Sequence, residues 1–317
     1  METNSKTALG IMKILQPRRS RLPAIRAVQG EEGKLTFGTP DMTLTFGFTI
    51  GEPGQYDVAK SLDRLAAGLL PVKEPLDNNL IDAVKTAGVG IKITGDEAEK
   101  MRAAIEPVKH AISTEDTRYY LNGVFVDTAG GELIVVATDG HRLATNKTGV
   151  KIEEVVGFPD NSLIIPAGAL KTLAKLGAWR EVVLYSLTAV FKGAGWELTT
   201  KLIDGTFPAW RNVMPDKKDM KHSCEVTGYK KLLALAAKDG KRDGKRGVRV
   251  YDGGGLAFRD EVLEPATSEN YVVVNAGYLL QAIGAGMTTL HWQDDAKAVC
   301  LLTGAVDSYA LMPMRED

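Results

Sequence analysis

Cysteine is almost missing from this chain: Cys224 and Cys300 are the only two among 317 residues. That excludes a disulfide framework and any cysteine-rich zinc site, and it suits a reducing compartment. Histidine is scarce as well, and the four present, His110, His141, His222 and His291, fall in no HExxH or other metal-ligand spacing. Neither GxSxG nor GxxxxGK[ST] occurs, which removes the nucleophile elbow and the P-loop. No run approaches the roughly 18–20 apolar residues of a membrane span. The opening METNSKTALG lacks the basic-then-apolar pattern of a secretory signal. A cytoplasmic protein without a membrane partner is the expectation. An excess of one charge is absent too: Lys+Arg 39 against Asp+Glu 40 leave a formal net charge of -1. Nucleic-acid binding would therefore need a segregated basic surface. Gly 33 and Pro 13 are too few for a low-complexity chain.

Asp139, His141 and Arg142 lie close enough in sequence to raise acid–base or phosphoryl chemistry, but no nucleophile or metal motif accompanies them. The run Asp252-Gly253-Gly254-Gly255 precedes a strand-like segment, so it reads as a hairpin loop and not a phosphate cradle, which would feed a helix. No catalytic site, metal or cofactor is expected.

What is present is repetition. A chain of 317 residues is long for one core and fits two or three domains of about 100–150 residues. One order of elements recurs three times: an amphipathic helix, two β-rich runs around a turn, then a short strand feeding a second helix. In the middle copy Thr94 and Glu97 make a T-x-x-E capping box, followed by the stripe Met101, Ile105, Val108, Ile112, with Pro107 as a kink. RYYLNGVFVDTAGGELIVVATDG, residues 118–140, reads as a hairpin about Ala129-Gly130-Gly131. Leu163–Ile165 then enters a helix at Pro166 that carries Leu170, Leu173 and Leu176 and stops at Gly177.

In the last copy Thr227 caps a helix through Leu232 and Leu235, residues 247–260 form the hairpin, and YVVV leads through Asn275 into Leu279 and Ile283. In the first copy Leu9, Met12 and Leu15 form the first stripe, and Asp57 starts a helix with Leu62, Leu65 and Leu69. Residues 71–94, rich in turn formers, have room for at most one or two short strands, so the first copy is shortened. The expected division is 1–94, 95–216 and 217–317. The expected class is α+β, with helices on one face of largely antiparallel sheets.

At RYYLNG (Arg118–Gly123) and TDGHRLA (Thr138–Ala144) the sequence resembles the β sliding clamp of bacterial DNA polymerase III. LIDGTFPAWRNVMP (Leu202–Pro215) and YALMPMR (Tyr309–Arg315) agree in order and position. The likeness is close from about residue 95 to the end and topological before it. It implies three tandem DNA-clamp domains, helices lining the inside and sheets outside, in a head-to-tail dimeric ring. It also implies a non-catalytic processivity subunit that encircles duplex DNA, tethers the replicative polymerase and other clamp-motif proteins, and is opened by an ATP-driven clamp loader. An open or monomeric adaptor that binds clamp-motif peptides without encircling DNA is the alternative, because residues 71–94 leave little room for a ring-closing strand.

In that family a short motif of hydrophobic and aromatic residues, usually led by a glutamine, enters a pocket between the second and third domains. Carried over residue by residue, the pocket comprises Leu121, Thr138, Gly140, His141, Arg142, Leu143, Pro208, Val213, Met312, Pro313, Met314 and Arg315. Leu, Val and Met would supply an adaptable apolar cavity, with His141 and Arg142 as polar rim. Each residue alone would pass as ordinary packing, and the weight lies in their co-occurrence. Asn212 stands where the family often has an arginine.

Sequence-blind phosphate contacts are expected from Lys60 and Arg64 and from Lys171 and Lys175, two i,i+4 pairs away from the leucine stripes. Lys100, Lys109 and Lys231 on helices, Arg18, Arg19 and Arg21, and Lys238, Lys241 and Arg242 in the loop KDGKRDGKR complete the set. Thr206 lacks the positive charge that the family commonly has there.

Overall fold

A computed structural model describes residues 26–30, 34–39, 41–47, 55–57, 70–71, 90–152, 163–243, 246–259, 261–295 and 297–315. The helix expected around Leu9 to Leu15 lies outside the described residues, as does the helix expected to follow Asp57, while Asp57 itself ends strand Gln55–Asp57. The chain divides into two compact units, Met1–Lys100 with Val155–Asp204, and Met101–Glu154 with Gly205–Asp317.

The first unit carries a sheet in the order Leu70–Pro71, Gln55–Asp57, Arg26–Gly30, Lys34–Thr39, Met42–Gly47, Trp196–Lys201, Thr188–Gly193, Trp179–Leu184, Ile91–Thr94. Its register is fixed by alternation: Ile91 and Ile93 are buried while Lys92 and Thr94 face water, and a one-residue slip would exchange the two faces. Among the described residues, strands Leu70–Pro71 and Ile91–Thr94 fall within or beside the short 71–94 stretch.

Helix α1, Gly95–Ile105, follows directly from that last strand, with Asp96 and Glu97 in its first turn and Arg102 in its last, the polarity that suits a helix dipole. Met101, Ile105 and Val108 are buried as the stripe predicts. Pro107 cannot donate to the helical ladder, and Glu106–Ala111 continues as a 3-10 helix. Helix α2, Ala167–Leu176, starts after Pro166, which is extended at φ -62, and ends at Gly177, whose φ of 90 only glycine adopts freely. It buries Leu170 and Leu173 and leaves Lys171 and Lys175 in solvent.

The second unit holds a sheet running Gly123–Asp127, Glu132–Thr138, Arg142–Lys151, Ser308–Leu311, Cys300–Gly304, Met287–Trp292, His222–Glu225. The antiparallel pairing of Ala144 with Tyr309 and Leu143 with Ala310 joins segments far apart in sequence. A second sheet orders Glu261–Glu264, Leu256–Phe258, Gly247–Tyr251, Tyr271–Asn275. Helix α3, Lys230–Asp243, packs on helix α4, Ala276–Gly284. They bury Leu233 and Ala236 from one, Leu279, Ala282 and Ile283 from the other. Each fully buried leucine there contributes roughly 2 kcal/mol. Asn275 caps α4 by accepting from the backbone N–H of Gly277 and Tyr278 at 2.9 and 3.2 Å.

Three local expectations are corrected. Residues Asp116–Leu121 form a 3-10 turn and not the start of the hairpin strand, which begins at Gly123. The Glu115–Arg118 ion pair at i,i+3 and the bond from Asn122 N–H to the Tyr119 carbonyl tighten the chain there. Thr227 does not cap α3: its hydroxyl bonds Glu225 at 2.5 Å, and Thr227–Tyr229 is a 3-10 turn ahead of the helix. The basic segment from Lys238 is helical through Asp243 instead of a loop, since Gly240 is buried where α3 packs on α4.

Candidate functional site

The second unit contains a cleft of about 250 Å³ built from five stretches of chain. The 3-10 turn supplies Arg118, Tyr120 and Leu121; the 138–143 turn supplies Thr138, Gly140, His141, Arg142 and Leu143; residues 207–213 supply Phe207, Pro208, Ala209, Trp210 and Val213; Val299, Ala310 and Met312 complete it.

The 138–143 turn is held by its own side chains. Asp139 Oδ1 accepts from the backbone N–H of His141 and Arg142 at 2.9 and 3.1 Å, the geometry that makes aspartate a turn former. Thr138 Oγ1 donates to the Arg142 carbonyl at 2.6 Å and accepts from Gly140 N–H at 3.1 Å. Gly140 has φ 88, and the Arg118 guanidinium lies where a β-carbon would sit. A side chain at this position would be both strained and crowded.

Of the twelve expected pocket residues, the cleft gathers Leu121, Thr138, Gly140, His141, Arg142, Leu143, Pro208, Val213 and Met312. Pro313, Met314 and Arg315 are not among its lining residues; Met314 N–H bonds the Val273 carbonyl at 2.8 Å, which carries the tail along strand Tyr271–Asn275. Leu121 and Leu143 are 3% and 5% exposed and form the floor, while Val213 and Met312, at 54% and 44%, leave apolar surface in water at the mouth.

Arg142 is not a solvent-facing rim residue. Only 7% exposed, it pairs with Asp139 Oδ2 at 3.0 Å, donates to the His110 carbonyl and to Gln281 Oε1, and lies 4.3 Å over the Tyr278 ring. Its charge is spent within the protein, which is the condition for a buried ion to persist. Beside it His110, stacked on Tyr309 at 5.6 Å, has its pKa lowered to about 4, by burial first and by the Arg142 charge second. His141 is exposed and stacks on Tyr278 at 6.3 Å.

Arg118, Tyr120, Phe207, Ala209, Trp210, Val299 and Ala310 also line the cleft and were not picked out from sequence. Arg118 and Tyr120 lie in RYYLNG, Phe207, Ala209 and Trp210 in LIDGTFPAWRNVMP and Ala310 in YALMPMR, so three of the four blocks that carried the resemblance held the signal for them.

Among the expected phosphate-facing cations, Lys100 is exposed on α1, Lys171 and Lys175 on α2, and Lys231 and Lys238 on α3. Lys109 is half-buried and paired with Glu106 at 2.6 Å. Lys241 and Arg242 belong to α3, but their side chains lie outside the described residues, as do Arg18, Arg19, Arg21, Lys60 and Arg64 entirely. Thr206 and Asn212 are exposed. Cys224 and Cys300 are buried free thiols. Among the described residues no group of three or more His, Cys, Asp or Glu side chains is placed to hold a metal ion, and no helix is long and apolar enough to cross a membrane.

The family model described as DNA polymerase III beta subunit, central domain, matches residues 97–209. The beta sliding clamp of Caulobacter vibrioides is 27% identical over 363 residues, covering 97% of this chain and 96% of that protein. That of Salmonella typhimurium is 29% identical over 238 residues, covering 68% of this chain and 63% of that protein. Among solved structures, the DnaN sliding clamp from Bartonella birtlesii, bound to griselimycin, is similar in fold with a TM-score of 0.75 at 22% identity, covering 99% of both chains.

Proposed function

We propose, on the premise that the chain belongs to the bacterial β sliding-clamp family as a divergent member, that it is a non-catalytic DNA sliding clamp working in the cytoplasm. It encircles duplex DNA as a head-to-tail homodimer of three-domain subunits, with domains 1–94, 95–216 and 217–317. The replicative polymerase and other clamp-motif proteins are held by a short apolar peptide, and a clamp loader opens the ring. The alternative of an open adaptor is not favoured, because likeness to the Caulobacter clamp extends over 97% of the chain.

The observation that carries this reading is the cleft. Its closed leucine floor and exposed Val213 and Met312 at the mouth suit a leucine or aromatic anchor, since a few desolvated apolar side chains dominate such binding. Arg142 contributes by fixing the 138–143 turn, so the cavity is preformed and little ordering cost falls on the peptide. Phosphate contacts come from exposed lysines such as Lys171 and Lys175. They are sequence-blind, and the ring converts diffusion away from DNA into diffusion along it while holding a polymerase at high effective concentration.

The test is a calorimetric titration with a glutamine-led peptide carrying leucine and phenylalanine anchors, beside a copy with both anchors changed to alanine. Saturable one-to-one binding of the first alone is expected. Equal or absent binding of the two removes the peptide-cleft assignment.

A further inference from the structure

Behind the wall of the cleft lies a buried carboxylate. Asp127 ends strand Gly123–Asp127 and is 2% exposed. Burying a carboxylate is costly unless it is paired and fully hydrogen-bonded. Its two oxygens do separate work. Oδ1 accepts from Ala129 N–H at 2.9 Å and starts the turn to the next strand. Oδ2 accepts from the indole Nε1 of Trp210 at 2.7 Å and from the Arg211 guanidinium, residues more than 80 positions further along the chain. Arg211 also donates to the Ala129 carbonyl at 3.3 Å and lies 4.5 Å over the Trp210 ring. Trp210 is therefore fixed at its N–H edge by a carboxylate and across one face by a guanidinium.

Trp210 lines the cleft, and the Trp210–Val213 turn it begins carries Val213 at the mouth. For turn formation alone Oδ1 suffices, and an exposed aspartate would serve. The second oxygen is aimed at the wall of the cleft.

We infer that Asp127 is the positioning residue of this wall, acting through Trp210 and Arg211 to hold residues 207–213 in the shape that receives the partner's apolar anchor. The role rests on the peptide-binding reading above. Asp127 does not touch the ligand. It removes the freedom of the wall, and a buried indole N–H has to find an acceptor.

A double-mutant cycle with the full chain and the same glutamine-led peptide tests this, using Asp127→Asn, Trp210→Phe and the pair, below the unfolding transition of every variant. Asp127→Asn is expected to weaken the peptide roughly tenfold, the scale of one lost charge-assisted hydrogen bond. In the Trp210→Phe background, where there is no N–H to hold, the same change is expected to cost less than about twofold. A general loss of structural integrity would weaken binding equally in both backgrounds, so an additive cycle overturns the inference. The emission of Trp210, taken as the difference between each protein and its Trp210→Phe counterpart, is expected to shift with Asp127→Asn before any peptide is added, and no shift also overturns it. If Asp127→Asn does not fold, Arg211→Ala replaces it in the same cycle, with the same two outcomes. Failure of the unsubstituted protein to bind the peptide would instead bring down the cleft assignment itself, and this role with it.

Discussion

Val213 and Met312 are large apolar side chains left 54% and 44% exposed beside a cleft whose floor is closed. Exposed side chains of this kind contribute little to folding, so Val213→Ala and Met312→Ala are expected to change stability by less than about 0.5 kcal/mol. Both should nevertheless weaken the clamp-motif peptide by about tenfold, because desolvation of the mouth occurs only on binding. Leu143→Ala behaves differently: at 5% exposure the leucine is part of the core, and its truncation costs about 2–5 kcal/mol of stability. Parallel thermal melts and peptide titrations separate the two classes. A Val213→Ala variant that binds as tightly as the parent would show that the mouth is not used.

The turns and strands that hold the histidines make stability depend on pH in opposite senses. His110, on the 3-10 turn Glu106–Ala111, has a folded pKa of about 4 through burial and the nearby Arg142 charge. The unfolded chain therefore takes up a proton first as pH falls below about 6.5, and stability declines from there to about 4 by on the order of 3 kcal/mol. His222, at the start of strand His222–Glu225, has carboxylates at both ring nitrogens, Asp252 at 3.1 Å and Asp294 at 2.9 Å. Ionised carboxylates only accept, so both bonds are satisfied together only by the doubly protonated ring, which this arrangement favours. Burial opposes the charge, but the hydrogen bonds and charges of Asp252 and Asp294 outweigh it and raise the pKa. The stabilisation from His222 is complete below its unfolded value near 6.5 and is lost as pH rises through the higher folded value. Urea melts across pH are expected to show His222→Gln removing the decline on the alkaline side, while His110→Gln flattens the acid side. An unchanged alkaline decline in His222→Gln would place its cause elsewhere.

The same elements show what a sequence discloses. Gly177, Asn275 and the Gly130-Gly131 turn act through their own backbone or a neighbour two or three residues away, and their places were readable from local spacing. The burial of Arg142 was not, because Gln281 lies 139 positions along the chain and no spacing rule connects them. The helical course of Lys238–Asp243 was misread for a related reason: Gly240 argues for a loop locally, while packing of α3 on α4 decides for helix. The role of Asp127 is not legible either, because the indole at its second oxygen belongs to Trp210, 83 positions further along the chain.

At the scale of the whole molecule, charge sets the terms. A net charge of -1 leaves no broad attraction to DNA, so on the proposed function exposed lysines such as Lys171, Lys175 and Lys231 are expected to provide only a modest number of phosphate contacts. With about four such contacts, raising salt from 50 to 200 mM weakens open binding on the order of a hundredfold. Threading escapes that dependence, since a closed ring leaves a circle only by opening. The protein loaded on nicked circular DNA is therefore expected to stay through a wash at high salt and to leave when the circle is cut once. Its mass in solution is expected near twice 34.2 kDa. Changing Lys171 and Lys175 together to glutamate lowers the rate of loading but leaves retention on the intact circle nearly unchanged, because contact and topology are separate contributions. Equal loss from circle and linear DNA at high salt, with a mass near 34.2 kDa, would mean that the chain holds DNA by charge alone, and encirclement would be rejected.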